Sequence, residues 1–306
     1  VALTVLLTES DSPYGLAISQ RLEGKLLNAV MLQSGAVDWQ DDASVRDCMA
    51  LHQPTIVVST LLPLNVDDPV ALGSYERACE CLARVCREQD IACIHISSYR
   101  VYGTHNRVGD EADTPDANTD IATALLRAEA TMATIPHHVI VRFSWPIGSQ
   151  SDNLLTQLLT QLLESPTVYV NNIYVGTPTS FYEIARSVVA IVMQVAYGAD
   201  NWGVMNYVCS DSCTEEEFAH HLCELLDELG IVHGAVEVAE QETLTLIAKG
   251  SALLDGRRCQ ANFGIQPRSW HQGLIHFLRV WKEQYDQGLT ESDASAATDQ
   301  DQPLSV

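Results

Sequence analysis

The sequence predicts an α/β protein: a Rossmann-like, doubly wound parallel sheet with a smaller C-terminal substrate lobe. Three observations carry this. Five short apolar runs recur through the first half, at 3–8, 26–32, 55–60, 91–97 and 138–143. Stretches with helical spacing separate them. The runs are nearly continuous rather than alternating, as strands read when helices cover both faces of a sheet.

Each element follows in order. LTVLLT (3–8) suits a buried strand, and a polar turn leads to a helix from Tyr14 to Leu22. LLNAVML (26–32) is the second strand, followed by helical spacing from Asp41 to Leu51. TIVVST (55–60) follows Pro54, and a long helix spans 70–89. IACIHIS (91–97), an Ala- and Leu-rich helix at 119–134, and HVIVRF (138–143) complete the alternation. Right-handed crossovers would set a ligand crevice at the carboxyl ends of these strands. After Pro146 the pattern changes to an amphipathic helix at 153–164, a strand at 167–171, and helices at 181–196 and 215–229. Glu215 to Glu217 suit the positive N-terminus of the last. The expected division is a nucleotide-binding domain at 1–148, a smaller lobe at 149–283 interleaved with the sheet, and an acidic tail at 284–306. The tail has little to bury and reads as disordered.

The formal net charge is −23. Five carboxylates from Asp286 onward, with no Lys or Arg among them, leave −18 for the remainder. Such a field repels nucleic acid and anionic membranes, and disfavours an anionic ligand unless local groups compensate. No apolar stretch reaches the roughly 18–20 residues that cross a bilayer. The opening VALTVLL reads as a strand, not a signal peptide. Nine scattered cysteines without a CxxC pair read as buried thiols of a reducing, cytoplasmic compartment, with no metal site. His137-His138 and His220-His221 lack partners at metal spacing.

Five segments, in order, resemble the dTDP-4-dehydrorhamnose reductase branch of the extended short-chain dehydrogenases. They are LHQPTIVVSTLLPLNVD (51–67), IACIHISSYRVYG (91–103), VRFSWPIG (141–148), VGTPTSFYEIARSV (175–188) and LLDGRRCQANFGIQPRSWHQGL (253–274). The resemblance implies NAD(P) in the first βα turn and a nucleotide sugar between the sheet and the small lobe. A protein partner or a homo-oligomer is also compatible with it.

Against that pattern the chemistry is depleted. The family's turn reads GxxGxxG, but TESDSPYGLA (8–17) places Glu9 and Ser12 at the first two glycine positions and keeps only Gly15. Glu9 and Asp11 put negative charge where a pyrophosphate would lie. Gly15 has its own explanation in close helix–strand packing. The candidate cofactor-binding residues are Ser10, Ser12, Tyr14, Gly15, Thr60 and Leu61. Neither an acid nor an Arg stands where the second strand ends, and Asp38 comes late. The family's Tyr and Lys lie four residues apart on one helix face; here Ile121 and Leu125 take those places.

Ser98 matches the family's carbonyl-holding residue, or simply satisfies local backbone groups at a strand end. Tyr99 and Tyr102 are the nearest phenols. For the substrate, the matching segments offer Arg142, Trp145, Asn153, Thr177 and Thr179. Trp145 offers a stacking face or packs in the core; Arg142 meets a phosphate or pairs with a carboxylate. The sequence therefore favours a non-catalytic, ligand-binding or regulatory relative. A working NAD(P)H-dependent reductase or epimerase with relocated catalytic groups is the alternative.

Overall fold

The computed structural model describes residues 3–25, 27–63, 68–103, 107–116, 118–149, 151–165, 167–231, 235–238, 246, 252–279 and 281–283. The acidic segment 284–306 lies outside the described residues.

The chain alternates as the apolar runs require: β1 (Thr4–Leu7), α1 (Pro13–Leu22), β2 (Asn28–Met31), α2 (Asp42–His52), β3 (Ile56–Ser59), α3 (Pro69–Glu88), β4 (Ala92–Ser98), α4 (Asp120–Met132) and β5 (His138–Phe143). Then come β6 (Pro146–Ile147), α5 (Leu154–Glu164), β7 (Thr167–Val170), β8 (Val175–Gly176), β9 (Thr179–Ser180) and α6 (Phe181–Ala196). β10 (Gly203–Tyr207), β11 (Cys213–Thr214), α7 (Glu215–Glu228), β12 (Ala235–Val238), α8 (Arg257–Phe263) and a helix over 270–279 follow. Six strands make one sheet in the order β10-β5-β4-β3-β1-β2, every pair parallel. Every residue of β1 and β3 is buried, because helices cover both faces: α1 packs on α6, and α3 packs on α2 and α4. No helix among the described residues is long and apolar enough to cross a membrane.

β10 is the main addition to the sequence reading. Its five residues, GVMNY, come from the C-terminal half and pair with β5 at the sheet edge. The other short strands form two-stranded ribbons: β11 with β8, β12 with β7, and β6 with β9. The segment after 252 forms isolated bridges and a short helix rather than an extended strand.

A buried ion pair joins the sheet to α4. Arg142 on β5 donates from Nε to Glu129 Oε1 at 2.9 Å and from Nη2 to Oε2 at 2.5 Å. Both residues are about 5% exposed or less. Ser97 donates to the same carboxylate, and Arg142 Nη1 donates to the Tyr102 hydroxyl at 2.6 Å. Tyr102 donates in turn to the Asp110 carbonyl at 3.0 Å. Removing one member of such a pair strands a charge in a low dielectric. Arg142→Met is expected to destabilise the fold by about 3–5 kcal/mol, read as a lower urea midpoint with an unchanged slope.

Candidate functional site

The strand order switches direction between β1 and β3, so the crevice of a doubly wound sheet opens at their carboxyl ends. Here those ends are joined to each other. Thr8 Oγ1 lies 3.2 Å from Thr60 Oγ1 and accepts from the Thr60 amide at 3.0 Å. Thr60 Oγ1 also donates to the Glu9 carbonyl at 3.3 Å. The Ser10 amide bonds back to the Leu32 carbonyl at 2.6 Å. Leu61 is a buried wall residue.

The start of α1 is equally occupied. Ser12 caps the helix, accepting from the Gly15 amide at 3.1 Å and donating to the Glu9 carbonyl at 2.8 Å. Pro13 takes the first helical position and has no N–H to offer. Of the first three helical residues, at most the Tyr14 amide is left for an anion. A Cβ on Gly15 would stand 1.7 Å from the Glu9 carbonyl oxygen, so this glycine serves the close approach of helix and turn. Tyr14 is half-buried and meets Phe181 edge-on at 5.1 Å.

Two carboxylates guard this turn. Asp11 accepts from the Ser34 amide at 2.7 Å and the Ser34 hydroxyl at 2.8 Å, which clasps the turn to the end of β2. Those two bonds hold its carboxyl below the usual range. Burial, and then Asp11 itself, push Glu9 upward. A further negative charge brought beside them would be repelled, less so as salt screens it. The turn thus leaves few free donors and places two carboxylates beside them.

Beside the turn lies a cavity of about 470 Å³, lined by Glu9, Asp38, Trp39, Leu61 and Tyr75 among others. Behind it runs a buried chain. The Tyr75 hydroxyl is 3.2 Å from His95 Nε2, and His95 Nδ1 is 3.0 Å from Ser59 Oγ. Burial lowers His95 to about 4, so the ring is neutral, one nitrogen donating and the other accepting. A second cavity, about 650 Å³, lies between α1, the start of α6 and the 270–279 helix, with Arg21 over the Tyr182 ring on its rim.

The face of α4 that carries Ile121 and Leu125 is filled by hydrocarbon. Positions 121, 125 and 129 lie four apart on α4. Glu129 is bound to Arg142, Leu125 is 1% exposed, and Ile121 packs against the core. Ser98 caps the turn Tyr99–Val101, accepting from the Arg100 amide at 3.3 Å, so its hydroxyl serves local backbone. Tyr99 is buried, and burial raises its phenol while Arg100 pulls it down. Tyr102 is core-packed, as its sequence context suggested, with its hydroxyl committed to the Arg142 network.

The expected substrate residues are largely buried and engaged with their own neighbours. Arg142 takes the carboxylate-pairing alternative and also donates to the Tyr102 hydroxyl. Trp145, at φ 22°, is 2% exposed and lies flat on Gly176, where a Cβ would fall 2.2 Å from the indole. Asn153 is the N-cap of α5: its Oδ1 accepts from the Leu155 and Thr156 amides, and its Nδ2 donates to the Gly148 and Ser151 carbonyls at 2.7 Å. The Thr177 amide donates to Ser144 Oγ at 3.0 Å, and Thr179 Oγ1 donates to the Thr177 carbonyl at 3.1 Å. Both threonines are fully buried. Asn153, Thr177 and Thr179 thus each brace local backbone. Among the described residues, no three His, Cys, Asp or Glu side chains gather as a metal site.

Sequence reasoning missed Pro13, Trp39 and the Asp11–Ser34 clasp. Pro13 was legible, since a proline in the first turn always deletes a donor. The clasp was not, because it joins residues 23 apart.

Residues 3–282 match the family described as the RmlD substrate binding domain. The chain belongs to this family. The spore coat polysaccharide biosynthesis protein SpsK of Bacillus subtilis is 23% identical over 287 residues, covering 90% of this chain and 96% of that protein. A dTDP-4-dehydrorhamnose reductase of Clostridium acetobutylicum superposes with a TM-score of 0.81 at 19% identity, over 92% of this chain and all of that one. The Bacillus anthracis dTDP-4-dehydrorhamnose reductase, solved with NADP, gives 0.78 at 16% identity, over 90% and 98%. At these identities the structural likeness is one of fold, and this RmlD-family chain shares it over nearly its whole length.

His95 makes a pH-dependent contribution. Its folded value, about 4, lies below the ordinary 6.5 of an exposed histidine. The unfolded chain therefore takes up this proton first, and stability falls as pH drops from 6.5 toward 4, by about 1.4 kcal/mol per unit at most. Chemical denaturation across that range should show a shallower slope for His95→Asn.

Proposed function

We propose that this RmlD-family protein is a non-catalytic member that binds a small ligand or regulates a partner protein. One observation carries the reading: the positions of the proton-donating couple on α4 are the aliphatic Ile121 and Leu125, the latter packed in the core. Reduction of a ketone needs a proton delivered as hydride arrives. Such groups typically contribute about 10²–10⁴-fold. The occupied turn at α1, with Pro13 and two carboxylates, supports the same reading on the cofactor side.

Residues 1–148 serve as the nucleotide-type domain. Residues 149–283 serve as the substrate-type lobe, which lends β10 to the sheet. The nine buried, unpaired cysteines suit a reducing, cytoplasmic setting. Nucleotide sugars remain candidate ligands by family, and a protein partner or a second copy of the chain would fit a regulatory role.

The alternative is an NAD(P)H-dependent reductase or epimerase with relocated groups. Tyr99 is the specific observation in its favour, since Arg100 adjoins it at the end of β4. Burial dominates, however, and a phenol pushed upward is a poorer donor near neutral pH.

The protein is expected not to oxidise NADPH or NADH in the presence of a 4-keto-6-deoxy nucleotide sugar, followed by nicotinamide absorbance. Turnover abolished by Tyr99→Phe would establish the alternative.

A further inference from the structure

We infer that the 650 Å³ cavity between α1, the start of α6 and the 270–279 helix binds a small amphipathic carboxylic acid, its aromatic or apolar body between the helices and its carboxylate on the arginines that line the site. The inference goes beyond the non-catalytic reading and does not depend on it, because the cavity shares no lining residue with the crevice candidates at the strand ends.

The volume lies within the about 300–1,000 Å³ usual for small-molecule sites. Two helices make the walls. Leu16, Ala17, Gln20 and Arg21 line it from α1, at the spacing that puts side chains on one helix face. Gly273, His276 and Phe277 line it from the 270–279 helix at the same spacing. Ile147 and Phe181 contribute further apolar lining. Tyr182 lines it too and is 53% exposed, so aromatic surface is open to an apolar body.

Charge sets the class of ligand. The chain carries 40 Asp and Glu against 17 Lys and Arg, yet this cavity is lined by two guanidiniums, Arg21 and Arg268, and one carboxylate, Glu183. Glu183 is already engaged: its Oε2 accepts from Arg186 Nε at 2.7 Å and from the Tyr207 hydroxyl at 3.1 Å. Arg268 reaches Glu183 Oε1 only through Nη1 at 3.5 Å, and its side chain is 52% exposed. Arg21 has no carboxylate partner among the described residues. Its guanidinium lies over the Tyr182 ring, 5.1 Å from the centroid. A guanidinium held by a ring face keeps its N–H edge for a planar acceptor. A carboxylate matches that fork, a neutral amide forfeits the charge, and an ammonium is repelled. An apolar body is needed as well, because a bare anion leaves the hydrocarbon of both helices in water.

The test is isothermal titration of the full chain with naphthylacetate, its neutral amide, naphthylethylamine and acetate. Naphthylacetate is expected to bind at least about tenfold more tightly than the amide, a difference of about 1.4 kcal/mol. The amine and acetate should bind more weakly than either, and the margin of acid over amide should shrink as salt rises. Arg268→Gln and Arg21→Gln should each weaken the acid about threefold or more and leave the amide unchanged. The double variant should bind acid and amide alike. Tyr182→Ala should weaken both ligands about threefold, with circular dichroism verifying each fold. Equal affinity for acid and amide in the unaltered protein overturns the inference. So do preferred binding of the amine, a margin that survives in the double variant, and no binding of the acid. None of these results bears on NADPH oxidation with a 4-keto nucleotide sugar, which alone decides the non-catalytic reading.

Discussion

The buried pair between Glu129 and Arg142 sets the rotation of α4, and the character of the crevice follows from that rotation. With Glu129 drawn onto the sheet by two hydrogen bonds, the residues four and eight positions earlier are turned the same way. They are Leu125 and Ile121, so this face closes with hydrocarbon. Charge and hydrogen bonding inside the sheet are spent on architecture. The carboxylate binds Arg142 and Ser97; the guanidinium binds Glu129 and Tyr102; Tyr102 reaches the loop at Asp110. The pair ties β4, α4 and β5 together, and Asn206, beside the Tyr102 hydroxyl, brings β10 into the same network.

The same economy governs the other side of the crevice. Where a dinucleotide-binding turn leaves amides pointing outward, this one turns them inward: Ser12 takes the Gly15 amide, Leu32 takes that of Ser10, and Thr8 takes that of Thr60. A turn that satisfies itself needs no ligand to complete it, and it does not depend on glycine at the first two positions. Glu9 and Ser12 are tolerated because the backbone is held by its own neighbours. Only Gly15 is required, at the point where α1 passes over the Glu9 carbonyl.

Much of the frame was legible in the sequence because its determinants are local. A strand buried on both faces must be apolar along its length, and LTVLLT, TIVVST, IACIHIS and HVIVRF could hardly be anything else. Helix starts were nearly as plain, since Ser12, Asp41, Asp68, Thr119 and Thr214 all cap the helices that follow them. β10 was missed because GVMNY is brief, lies at the edge, and carries Asn206, whose burial makes sense only once Tyr102 and the Gly109 carbonyl are beside it. The substrate candidates carry two readings for a related reason. Asn153, Thr177 and Thr179 are the types that bind sugars, and they are also the types that brace turns. Only distances separate the two uses. The loss of the Tyr–Lys couple needed no structure, because composition alone excludes it between Lys25 and Lys249.

The cysteines lend the molecule an unplanned property. All nine are buried, and burial raises the thiols of Cys48, Cys79, Cys81, Cys209, Cys213, Cys223 and Cys259, so little nucleophilic thiolate is exposed in the native state. They are spread from α2 to α8, on α2, α3, β4, β11, α7 and α8 and in the segment after β10. Alkylation of this chain is therefore gated by opening of the fold. The order in which its sulfurs become labelled would chart which layers part first.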